Sequence, residues 1–123
     1  MSSAMHGPNR AQLDEAKRLL ALSPEALYEN LGREIGERGL PEDLIRAGRT
    51  RFRAIEGKCR SAICKNNTIR VLNTNKTADH IAHVVCAIAD TIIHTMGVPV
   101  PAMAIAAIIV QSGLDRYCEK FWR

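Results

Sequence analysis

A chain of 123 residues is expected to form one domain that buries roughly two-thirds of its unfolded surface, so its core needs no metal or disulfide staple. Apolar residues at 46% and charged residues at 24% are ordinary for a folded globule, and aromatics at 4% argue against a β-sandwich and for close-packed aliphatic helices. The net charge of +4 is uneven: Leu44–Lys65 holds seven cations (Arg46, Arg49, Arg51, Arg53, Lys58, Arg60, Lys65) against one anion, Glu56, a local surplus of +6.

Residues 1–8 read as a disordered leader, with a single helical domain over 9–123. The opening MSSAMHGPNR has no apolar core of the secretory kind, so a cytoplasmic location is expected. A first helix from Asn9 to about Leu22 places Leu13, Ala16, Leu19 and Leu20 at helical spacing. Ser23-Pro24-Glu25 then supplies an N-cap, an N1 proline and a first-turn acid. The second helix carries Leu27, Leu31 and Ile35 on one face, but Gly32 and Gly36 weaken it, so it needs tertiary support.

Leu40-Pro41-Glu42-Asp43 begins the third and longest helix. Ile45, Gly48, Phe52, Ile55, Cys59 and Ala62 step by three and four, which predicts a heptad-like buried seam. The cations fall in two rows beside it: Arg46, Arg49, Arg53 and Arg60 in one, Arg51, Lys58 and Lys65 in the other. Helix 44–65 is therefore the candidate binding element, with the first row meeting either an acidic protein surface or phosphates. The helix should fail at Asn66-Asn67, and 68–76 reads as an irregular connection with a brief extended piece.

Thr77 caps the next helix, which runs to about Met96 with Ile81, Val85, Ile88, Ile92 and Met96 on one side. Asp79, His83, Asp90 and His94 lie on the other side, with Cys86 at its edge. His83, Cys86, Asp90 and His94 are residue types that bind zinc or iron, but one helix supplies at most two ligands from such a row, and no second helix offers a matching set. That face is read as solvated, with no metal and no cofactor. Val98–Val110 has no polar side chain, and Gly97 with two prolines turns it back on the preceding helix as an αα-hairpin. Gly113 suits a left-handed C′ position, after which Leu114, Tyr117 and Phe121 recur in a short final helix.

Four cysteines, Cys59, Cys64, Cys86 and Cys118, match no metal or disulfide spacing and read as reduced thiols. No nucleophile motif or phosphate loop is present, so the chain reads as non-enzymatic. The expected fold is all-α: a single bundle of about five helices centred on the buried C-terminal hairpin. The first functional reading is an interaction module, a small subunit, adaptor or regulator that self-associates or takes a dedicated protein partner. The second is a nucleic-acid-binding regulator using the basic helix. The third is a membrane-acting hairpin, set back by an uninterrupted apolar run of 13 residues where a span needs about 20.

Overall fold

The computed structural model describes residues 7–123, and the described residues form an all-helical bundle of six helices: α1 Arg10–Leu20, α2 Pro24–Glu34, α3 Pro41–Cys64, α4 Asn67–Leu72, α5 Ala78–Met96 and α6 Ala102–Tyr117. Of the expected leader, all but Gly7 and Pro8 lie outside those residues.

Local chemistry sets most boundaries. The Asn9 side chain accepts from the Gln12 N–H at 2.8 Å, and the Gln12 side chain accepts in return from the Asn9 N–H at 2.9 Å. Ser23 accepts from the Ala26 N–H at the head of α2, beside Pro24 at N1. At the head of α3 the Asp43 carboxylate accepts from the Leu40 N–H at 3.2 Å. Each of these satisfies a donor that the first helical turn leaves open.

Helix α6 lies at the centre, touching α1, α2, α3 and α5, and Ala104 to Ile109 are buried along it. It packs against α5 through the turn at Gly97, whose φ of 69° places it in the left-handed region. The predicted hairpin is thus the core of the bundle. Support for α2 comes from α3. A Cβ added at Gly32 would collide with the Leu44 carbonyl oxygen, and one added at Gly48 with that of Tyr28, so the two backbones meet at these glycines.

The structure corrects three local expectations. Residues 68–76 contain no extended piece: Asn66 accepts from the Ile69 N–H at 3.1 Å and starts α4 almost at once, with Ile69 fully buried as its anchor. The buried seam of α3 is Leu44, Gly48, Ile55, Cys59 and Ile63; Ile45 and Phe52 are half-buried and Ala62 is exposed. Its phase turns along the helix because the first half faces α2, whereas further along α3 meets α5 and the C-terminal segment. At Gly113 the expected break is present, at φ 112°, ψ 101°, and the short helical stretch after it runs as far as Tyr117.

The third correction is covalent. Cys64 and Cys118 form a disulfide across 54 residues, with Cα atoms 5.3 Å apart, so these two cysteines are not reduced thiols. Their partnership arises from α3 and the C-terminal segment meeting in space. Cys59 and Cys86 are free and buried.

Candidate functional site

The outward face of α3 concentrates the charge. Arg46, Arg49 and Arg53 are exposed along one side, and Arg51, Lys58 and Lys65 along the other. Between the two rows, away from the core, run Ala47, Thr50, Ala54, Gly57 and Ser61, spaced three and four apart. The side of α3 that a partner would approach is therefore low in the middle and cationic at both edges. Apart from the alanine methyls, it offers no apolar side chain.

The four arginines singled out from the sequence do not share one state. Arg46 is 75% exposed and sits 3.6 Å from Asp43, a loose surface pair of little energetic weight. Arg49 lies over the Tyr28 ring, 5.1 Å from its centre. Arg53 is exposed, with no ion pair among the described residues. Arg60 departs from the row: its guanidinium donates to Glu56 at 2.7 Å and stacks over Tyr117 at 4.5 Å, and its Nε is buried without a partner. The Glu56 hydrogen bond raises its pKa above the ordinary arginine value and holds it charged. Arg46, Arg49 and Arg53 stay together on the open face, whereas Arg60, 41% exposed, is engaged by Glu56 and Tyr117.

The fold also brings in a residue that sequence spacing missed. The loop after α2 delivers Arg38 to a shallow groove along the first half of α3, where Arg46, Arg51 and Thr50 also lie. Glu37 and Asp43 share that groove and offset part of its charge. Nothing in the local sequence of Arg38 marks it for this position; the α2–α3 packing puts it there.

The polar face of α5 has a different character. Nδ1 of His83 lies 2.7 Å from the Asp79 carbonyl oxygen, so the proton on Nδ1 donates to it. Asp90 and His94 are exposed, and Cys86 is buried with its Sγ 3.7 Å from the Gln12 carbonyl oxygen. Burial, helped by the charge of Asp90, pushes the Cys86 thiol up to about 11, which keeps it protonated and a poor ligand. Among the described residues no three His, Cys, Asp or Glu side chains converge in a way that could hold a metal ion.

Comparison with protein-family models, with curated proteins and with solved structures found no match. Among the described residues no helix is long and apolar enough to cross a membrane.

Proposed function

We propose that this chain is a cytoplasmic, non-enzymatic binding module that engages the phosphate backbone of nucleic acid with the outward face of α3. The observation that carries this reading is the two-edged cationic face itself. A major groove about 12 Å wide admits an α-helix, so small residues along the leading edge let α3 come close while the flanking cations reach both phosphate walls. Protein–nucleic acid interfaces are polar and strongly cationic, which suits this face. Protein–protein contacts are dominated by a few Trp, Tyr or Arg anchors, and this face offers arginines without an aromatic among them.

The glycines of α2 and α3 meet each other, the α3 seam packs against α2, α5 and the C-terminal segment, and α6 is enclosed, so these elements complete one another within the chain. A membrane-acting hairpin would have to expose that enclosed core. A second reading, an interaction module with a protein partner, keeps one specific support: Ile93 and Val98 are 50% and 55% exposed beside each other at the α5–α6 corner.

The test is a salt titration of duplex binding. Wild type should bind a generic duplex, with log Kd changing against log salt by about 0.9 per phosphate neutralised. Arg51→Glu with Arg53→Glu, one residue from each row, should abolish binding while circular dichroism is unchanged. No duplex binding at low salt, together with a homo-oligomer or complex lost in Ile93→Asp, would move the assignment to the protein partner.

A further inference from the structure

We propose that the Cys64–Cys118 disulfide is a redox clasp that holds the C-terminal segment against Arg60 and Arg70, and that its reduction opens the segment. The segment begins at a natural hinge. Gly113 adopts φ 112°, ψ 101°, which interrupts α6 and sets residues 114–123 apart from the buried run before it. Leu114 and Cys118 are buried in the core, and Tyr117 and Trp122 pack against it.

Beyond Leu114 the packing of Tyr117 and Trp122 is joined by hydrogen bonds. The Tyr117 hydroxyl donates to the Glu56 carbonyl oxygen at 2.8 Å, and the Trp122 indole N–H donates to the Cys64 carbonyl oxygen at 2.7 Å. Asn73 donates to Asp115 at 2.8 Å. The segment in turn occupies two cations: Arg60 stacks on Tyr117, and Arg70 lies 5.6 Å from the Trp122 ring centre and donates to the Trp122 carbonyl oxygen at 3.3 Å. The disulfide is the only covalent hold on this segment. It joins the end of α3 to a point five residues before the end of the sequence.

The chemistry is thiol–disulfide exchange with a dithiol reductant. One reductant thiolate attacks a cysteine sulfur, forming a mixed disulfide and releasing the other cysteine. The second reductant thiol then displaces the first cysteine. Two electrons and two protons pass to Cys64 and Cys118, which become thiols, and the reductant leaves as its own disulfide. In a cytoplasm held reducing, a pair that closes only under oxidation reports the redox state. Opening frees Arg70 from Trp122 and Arg60 from Tyr117, leaving Arg60 on Glu56, so reduction should strengthen anion binding. That last consequence rests on the α3 reading above; the opening itself does not.

Trp122 is the only tryptophan, so the full chain reports its own opening. The wild type is oxidised with glutathione disulfide, mass-checked for the bridge and then titrated with dithiothreitol. Reduction should shift Trp122 emission to the red and raise its quenching by acrylamide, while helicity by circular dichroism stays nearly constant. Duplex binding should tighten several-fold, with a salt slope steeper by about 1 to 2. Cys118→Ser should match reduced wild type and ignore reductant. A bridge that never forms, or Trp122 signals unchanged after complete reduction, would overturn the clasp. A Trp122 response with no duplex binding in either state would support opening and count against the α3 reading alone.

Discussion

Gly48 and Gly57 sit on the same helix and differ in what faces them. A methyl group at Gly48 would meet the Tyr28 carbonyl, which is backbone and cannot step aside, whereas a methyl at Gly57 meets nothing within 4 Å. Gly48→Ala should therefore destabilise the fold by about 1–3 kcal/mol through overpacking at the α2–α3 contact. Gly57→Ala should stabilise it by about 0.5–1 kcal/mol, since alanine loses less conformational freedom in a helix interior. Urea unfolding of the two variants checks both signs at once, and equal effects would show that α2 and α3 do not touch there. The cysteines allow a second test at this scale. Burial raises the Cys59 thiol above its ordinary value and Cys86 to about 11, so at pH 8 roughly one Cys86 in a thousand is thiolate. Folded oxidised protein should react slowly with iodoacetamide, and the same protein in denaturant without reductant should show two thiols. Four thiols would mean that Cys64 and Cys118 are unpaired.

Among the elements, α6 has the least room for change. Ala106 has no exposed surface, and a carboxylate there would be buried with no partner. Such burial costs several kcal/mol, comparable to the stability of a domain this size, so Ala106→Asp should unfold the chain or drive it into aggregates. A melting temperature within a few degrees of wild type would remove α6 from the core. This helix was legible in the sequence because its signals agree: an unbroken apolar run, prolines before it and Gly97 at the turn. The capped starts at Ser23 and Thr77 were legible for the same reason. Helix α4 was not, because four asparagines in ten residues read as turns, and only the packing of Ile69 shows that Asn66 starts a helix. The α3 seam was legible at Gly48, Ile55 and Cys59 but lost phase at both ends, where different neighbours cover the two halves of the helix. The cationic rows were legible as periodicity. That Arg60 would be taken by Tyr117, a residue from the far end of the chain, was not.

For the molecule as a whole, the disulfide and the core act on different states of the chain. The hydrophobic core holds the folded form together, whereas a link between Cys64 and Cys118 mainly restricts the unfolded one. Closing a loop of 54 residues removes unfolded-state entropy equivalent to about 4 kcal/mol at 25 °C in the chain-entropy account. A domain of this size has about 5–15 kcal/mol in total, so the bridge accounts for a large share without being indispensable. Reduced wild type should remain folded at 25 °C, with an unfolding free energy lower by about 4 kcal/mol. It should also have a larger urea m-value, because the freed chain exposes more surface when it unfolds. The central α5–α6 hairpin does not depend on the bridge, so its amides should stay the slowest to exchange in both redox states. If reduction instead melted the whole bundle at 25 °C, with hairpin amides exchanging as fast as those of residues 114–123, the disulfide would be a staple for the entire core. Residues 114–123 would then have no independent motion for a clasp to control.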